Sequence, residues 1–592
     1  MAPLPQSDTV TRPDSAPKEG AAPPLSDVGV PTVDANTQPA PRKKPRGSLR
    51  GFIDTLVVLY VAVILFRTFE VEGYIISTGS MAPDLLGFHK RVVCPACGYE
   101  FAHGIPVDET GTTADTIDDL AHEGPGQVRC PNCGEDRIDI REVPPNHGDQ
   151  LLVLKNVYEF RDPWRFEVVV LKSPSRPTPF VKRIVGLPNE SVQIRDGDIY
   201  VDGEICRKNL AQQRAVRILV NDNDYLPSDP PEGQSCWSIE DEKQGWLPDE
   251  QGHGFVFSPA PAKTPTAKDA KSRAHSDGPI AWIAFRKWVR HGGRFHTVVP
   301  IADSQPVVHI KSGMFPVVRY DQAARKLEAT GAVDRAERDR LLAANSQPAT
   351  RAAIEELFAE SHVGPITDEY GYNRVNAALI PNPVRDLFLE CEVSLGAGDG
   401  EATFEISDGR QTFVVVVNRR QHFVELRLAG QPNPLFHESV AASKFEKPFK
   451  LEFSTFDRQV LVALNGVQVF PPWQCPTDVA EPSRIPVRIG ARGVAVEVSG
   501  LKVFRDIYYT RGGGRNASDQ PIQLAADEYF VLGDNSPVSN DGRSWAHGAI
   551  KRSQLLGKPF VVHLPSRPGR ISIGGFTRYI RVPDFSRIRY IR

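Results

Sequence analysis

Residues 179–204 read "PFVKRIVGLPNESVQIRDGDIYVDGE". Val181, Ile184 and Val185 bracket two basic residues in a short strand, a tight turn follows, and Asp196-Gly197 separates two alternating runs. An Asp-Gly pair between such runs signals a type I′ hairpin, because both central positions need positive φ. Strand, turn and hairpin in one stretch set a mainly β fold. Alternation puts Lys182 and Arg183 on opposite faces of the strand. Lys182 then lies among apolar neighbours, and Arg183 is expected to stay solvated. A solvated lysine keeps its proton up to a pKa of about 10.4, and burial is what lowers that value. Lys182 is therefore either an ordinary strand charge or a buried base.

Three other segments bear on the choice. Residues 148–158, "GDQLLVLKNVY", are a turn leading into an alternating strand. Residues 527–545, "DEYFVLGDNSPVSNDGRSW", are a strand ending in a Gly-Asp-Asn turn. Residues 75–87, "IISTGSMAPDLLG", carry a small polar run soon after the most apolar stretch of the chain. Taken singly each is weak, since Gly-Ser-Met is most often a loop. In chain order (75–87, 148–158, 179–204, 527–545), behind an apolar helix, the four segments resemble the type I signal peptidases, serine–lysine endopeptidases that remove signal peptides from translocated proteins.

The resemblance implies an all-β catalytic core and a role for each matching residue. Ser80 would be the nucleophile, and Lys182 the base that takes its proton. The Ser80 N–H and the Thr78 hydroxyl would hold the oxyanion. Ser539 would orient the lysine, while Asp541 and Arg543 would brace its loop. The lysine stands where other serine hydrolases use histidine, so no cofactor is needed for catalysis. The substrate would be an extended signal peptide of a pre-protein, bound as an added β-strand with small side chains at two positions before the cut. Departures are Asn189, Ser536 and Gly542, where the family usually has Gly, Arg and Ser; none touches the nucleophile or base.

Ahead of the serine, Phe52–Phe69 is apolar except for Asp54, Thr55, Arg67 and Thr68. As a helix it rises about 27 Å, close to a hydrocarbon core of about 30 Å. Residues 48–69 are therefore expected to anchor the chain in the lipid bilayer as a single transmembrane helix. Arg42, Lys43, Lys44, Arg46 and Arg50 precede it. By the positive-inside rule the N-terminus is cytoplasmic and the catalytic part extracytoplasmic, at the plasma (inner) membrane. A buried core helix and a cleavable leader are the alternatives, though "RTFEVEG" lacks the small residues of a leader's exit. Residues 1–47, rich in Pro, Ala and Ser, are expected to be disordered.

Two insertions interrupt the core. Within 90–140, Cys94, Cys97, Cys130 and Cys133 form two Cys-Pro-x-Cys-Gly knuckles. Paired knuckles make a tetrahedral four-thiolate site for structural zinc; two disulfides are the other reading. Residues 207–383 are mixed, with two short helices expected near 320–360. Residues 384–506 give short alternating strands at regular spacing, with a type I′ signal at Asn465-Gly466, and read as a β-sandwich. That part resembles concanavalin-like jelly rolls of the lectin and laminin-G kind, which implies glycan or protein binding, with Trp473 as a stacking ring or a rim aromatic. Cys206, Cys236, Cys391 and Cys475 lack knuckle spacing and are either free or paired.

The core is thus expected over 70–206 and 507–565, with an arginine-rich tail over 566–592 that suits anionic lipid or edge strands alike. With a net charge of −3 over 592 residues there is no basic field for nucleic acid. Two rival functions stand beside the peptidase. One is an inactive homologue acting as a membrane-tethered glycan- or partner-binding protein. The other is a self-cleaving repressor-like regulator, for which no DNA-binding module is visible.

Overall fold

The computed structural model describes residues 49–106, 126–174, 178–228, 235–259, 278–290, 295–301, 317–374, 381–475, 481–512, 514–573 and 576–591. The expected disordered segment 1–47 lies outside them. Two compact units divide the chain, one up to Val63 and one from Ile64 onward.

The elements that carry the site are, in chain order, helix α1 (Leu49–Phe69) and strands β1 (Val71–Ile75), β2 (Gln150–Leu154), β3 (Val168–Leu171) and β4 (Phe180–Gly186). Helices α2 (Arg335–Ala344) and α3 (Pro348–Ser361) follow, then strands β5 (Leu387–Ser407), β6 (Val487–Arg505), β7 (Glu528–Leu532) and β8 (Leu555–Val562). The sheet that carries the site runs β1-β2-β8-β3-β4-β7 and continues to a short strand at Ile550–Lys551. Strands from the two ends of the sequence are thus interleaved, so the long insertion leaves and returns without breaking the sheet. The hairpin at 191–201 forms as its turn predicts, with Asp196 and Gly197 at φ of 50° and 93°.

The insertion is dominated by a sheet of fourteen strands among the described residues. Its spine is the antiparallel pair β5–β6, whose register shifts near Gly398 let two very long strands bend. Both inner faces close on one apolar core that includes Phe404, Phe453, Val462 and Ile489. Strands before residue 384, such as Ala281–Phe285, pair with β6 as well. The sandwich therefore recruits segments that the alternation pattern placed elsewhere. Trp473 is half-buried against Phe413, with ring centroids 5.6 Å apart.

Four expectations change. No helix among the described residues is long and apolar enough to cross a membrane, so the transmembrane anchor is not supported. The physical reason lies in α1 itself. Arg50, Asp54 and Arg67 interrupt it, and its unbroken apolar run, Leu56–Phe66, rises only about 16 Å, half of a hydrocarbon core. The two helices expected over 320–360 form only from Arg335; residues 317–330 make a hairpin instead, turning through Arg325 at φ 51°. The arginine-rich tail is edge structure, with Arg589–Tyr590 pairing against β8 and Ile591 buried in the core beneath Ser80's loop. Finally, Arg183 is not solvated. Strand β4 is covered on both faces from Lys182 onward, and Arg183 is 0% exposed.

Candidate active site

Ser80 sits on a tight loop between β1 and the rest of the core. Met81 and Leu85 anchor that loop in the apolar cluster formed by β2, β3 and β8, and Leu85 N–H donates to the Met81 carbonyl at 2.9 Å. Burying these two side chains pulls the serine inward, to 9% exposure. Lys182 comes from β4, opposite Val169 of β3. Its Nζ donates to Ser80 Oγ at 2.7 Å, and the side chain is 2% exposed. Removal from water lowers the lysine's pKa from 10.5 to about 8; nearby Asp541 and Asp534 oppose the shift and Arg543 adds to it. A buried hydroxyl in contact with an amine whose pKa is lowered to about 8 has the geometry that a nucleophile and its base require.

The Gly-Asp-Asn turn after β7 closes the site from the other side. Asn535 N–H donates to the Ser80 carbonyl at 3.0 Å, and Asn535 Nδ2 to the Gly79 carbonyl at 2.9 Å. Asp534 takes both forks of Arg183, Nε at 2.7 Å and Nη2 at 2.6 Å. The strand carrying Lys182 and the turn gripping the Ser80 loop are therefore joined by a buried two-point ion pair. Sequence alternation misses this pair because it assumes one wet face.

Asp541 and Arg543 form a second buried pair, with Arg543 Nε on Oδ1 at 2.9 Å and Nη2 on Oδ2 at 2.8 Å. Asp541 also accepts from Gly533 N–H at 3.0 Å, and Arg543 Nη1 donates to Ser536 Oγ at 2.7 Å. Ser536 thus takes part in the brace. Ser539 Oγ is buried and has no hydrogen-bond partner among the described residues. A Cβ on Gly533 would overlap both that hydroxyl and the Ser80 carbonyl, so glycine lets the chain pass between them. Thr78 is half-buried two residues before Ser80, whose own N–H donates to no acceptor among the described residues.

Residues 370–373 of the insertion are not singled out by any sequence pattern, yet they pack here. Tyr370 Oη donates to the Asp534 carbonyl at 2.7 Å, and Tyr372 Oη to the Phe88 carbonyl at 3.0 Å. Asn373 and Asn535 exchange side-chain amide bonds at 2.7 and 2.8 Å.

The four knuckle cysteines converge elsewhere, all buried, with their sulfurs within 4.8 Å of one another. Cys94 and Cys133 are 3.7 Å apart and Cys97 and Cys130 3.8 Å, so no disulfide joins them. A tetrahedral ion with metal–sulfur bonds of about 2.3 Å needs sulfurs about 3.8 Å apart. Both knuckles close alike: Gly98 and Gly134, each at φ 74°, donate to the Cys94 and Cys130 carbonyls at 2.9 and 3.0 Å. The donor set and spacing fit zinc. Cys206, Cys236, Cys391 and Cys475 make no disulfide.

Residues 144–254 and 502–564 match the family model described as signal peptidase, peptidase S26. The matched segments contain Lys182, Ser539, Asp541 and Arg543. The chain is 33% identical over 148 residues to the probable signal peptidase I-2 of Synechocystis sp., covering 23% of this chain and 66% of that one. It is 26% identical over 114 residues to signal peptidase I of Bacillus licheniformis, covering 18% and 60%. In these and other curated relatives it matches, the chain spans about two thirds of their length or less. A carbohydrate-binding module from Bacillus subtilis aligns at 11% identity and a TM-score of 0.13, covering 20% of this chain and 72% of that one, a likeness too slight to build on.

Proposed function

We propose that this chain is a signal peptidase of the serine–lysine type, cleaving N-terminal signal peptides from translocated pre-proteins. The observation that carries it is the 2.7 Å contact between Lys182 Nζ and Ser80 Oγ in a buried site, with the lysine's pKa lowered by that burial. When Lys182 is neutral, the Ser80 hydroxyl donates to it, loses its proton and attacks the scissile carbonyl. The oxyanion is received by the Ser80 N–H and the Thr78 hydroxyl. Lys182 then hands its proton to the leaving amine. Water, activated by the same lysine, frees the acyl group from Ser80. Asp541 and Arg543 hold the loop, and the Ser539 hydroxyl, which makes no hydrogen bond among the described residues, would have to turn to Lys182 to orient it.

The cysteine cluster is proposed to hold one zinc. With all four positions taken by thiolates, no site is open for chemistry, so the ion ties the knuckles together. Their second knuckle is docked onto the long insertion: Lys287 Nζ donates to the Pro131 carbonyl at 3.1 Å and Arg290 N–H to the Cys133 carbonyl at 3.1 Å. Membrane attachment rests on α1, whose Phe52, Val58, Leu59 and Tyr60 are all exposed. Apolar side chains on every side of a helix are covered by lipid or protein; here the proposal is lipid, on the face where pre-proteins emerge.

The test is cleavage of a purified pre-protein in detergent. Ser80→Ala and Lys182→Ala abolish cleavage while circular dichroism stays unchanged. Undiminished cleavage by either variant sinks the dyad, and a wild type that cleaves nothing leaves the inactive-homologue reading.

A further inference from the structure

The insertion at residues 370–373 reaches the peptide bond that precedes the nucleophile. The Gly79 carbonyl and the Ser80 N–H belong to one planar trans peptide, so they point in opposite directions. Whatever fixes the carbonyl aims the N–H. The carbonyl accepts from Ala82 N–H at 3.1 Å and from Asn535 Nδ2 at 2.9 Å. The first bond is local and moves with the loop. The second ties the peptide to the body of the protein.

Asn535 can serve only if its amide nitrogen, not its oxygen, faces Gly79. Asn373 reinforces that. It donates its own Nδ2 to Asn535 Oδ1 and accepts from Asn535 Nδ2, a reciprocal pair that a flip of the Asn535 amide alone would break at both ends. Tyr372 fixes the same peptide sterically. Its ring lies over both Gly79 and Gly104, where a Cβ on either glycine would overlap it, and it is buried with Ala82 and Leu86. The segment is itself held from behind: Gly371 packs on Pro131, and Gly104 N–H donates to the Tyr372 carbonyl at 2.8 Å.

We propose that Asn373 is a positioning residue for the oxyanion hole, setting the orientation of the Gly79–Ser80 peptide through Asn535, with Tyr372 as the steric stop. The long insertion therefore completes the active site. This rests on the serine–lysine peptidase reading given above.

The experiment uses the full chain in detergent, a peptide spanning a signal-peptide cleavage site, and a peptide aldehyde that adds to Ser80 and places an oxyanion in the hole. Removing an oxyanion donor outright costs about 10²–10³ in kcat, so a misaimed donor in Asn373→Ala is expected to cost about 10–100-fold. KM stays within about two-fold, because the ground-state carbonyl does not use the hole fully, and aldehyde affinity falls by the same factor as kcat. Asn373→Asp still offers Asn535 Nδ2 an acceptor and keeps kcat within about three-fold of wild type. A loss confined to KM, or kcat and aldehyde affinity both unchanged in Asn373→Ala while wild type cleaves, overturns the proposal alone. A wild-type chain with no Ser80-dependent cleavage overturns the peptidase reading and this proposal together.

Discussion

Arg183 and Asp534 meet through two hydrogen bonds of 2.7 and 2.6 Å although 351 residues separate them in sequence, and neither side chain is more than 3% exposed. Burial works against the Arg183 charge, but attraction from the Asp534 carboxylate outweighs it and raises the arginine's pKa further. Removing one partner leaves the other buried and uncompensated. Arg183→Ala is expected to lower stability by about 3–5 kcal/mol. Urea denaturation of the purified 64–592 unit checks this, and a loss below about 1 kcal/mol, the range of a surface pair, means the link is dispensable.

Cleavage should follow the titration of Lys182. The lysine acts as a base only when neutral, so kcat/KM rises with pH through about 8 and levels off above it. A profile measured between pH 6 and 10 that stays flat, or falls, contradicts a lysine base.

The same burial has a stability consequence. Lys182 has a folded pKa of about 8 against the 10.5 of an exposed lysine, so the unfolded chain binds the extra proton between those values. Stability therefore increases as pH rises through that window, and the full penalty, about 3 kcal/mol, applies below pH 8. Lys182→Met, similar in volume and uncharged, should be inactive yet more stable than wild type at pH 7, with the difference vanishing near pH 10.5. Equal thermal midpoints at both pH values would falsify the burial argument.

Metal analysis of protein purified without chelator should find about one zinc per chain, and Cys130→Ser should lose it. Because binding is linked to folding of the knuckles, chelation should lower the melting temperature of wild type and leave Cys130→Ser unaffected. Protein that contains neither zinc nor titratable thiols at these positions is disulfide-bonded instead.

What can be read from sequence is local. Asp196-Gly197 and Asn465-Gly466 demand left-handed pairs and have them, at φ of 50° and 93° and of 50° and 81°. Each knuckle closes within five residues of chain. Ser80 and Lys182 are singled out by ordered motifs, and β3 and β4 bring them together. The rest depends on what covers each face. Alternation assigns Arg183 to solvent because period-two reasoning supposes one wet face, whereas β4 is enclosed on both. Residues 320–330 have helix-forming composition, yet Lys326–Thr330 pairs with Val317–Asp321 and His296–Pro300 because sheet contacts outweigh propensity. Tyr372 and Asn373 carry no motif at all, since their contacts are with Gly79, Phe88 and Asn535, far along the chain.

The bond from Asn535 to the Gly79 carbonyl spans 456 residues. At ordinary synthesis rates the ribosome needs roughly 20 to 90 s to travel from one to the other. Through all that time the serine has been made but the Gly-Asp-Asn turn, the Asp534 that pairs with Arg183 and the Asp541–Arg543 brace have not. A half-finished chain can expose Ser80 without being able to use it. The order of residues along the chain keeps the site incomplete until the C-terminal strands arrive.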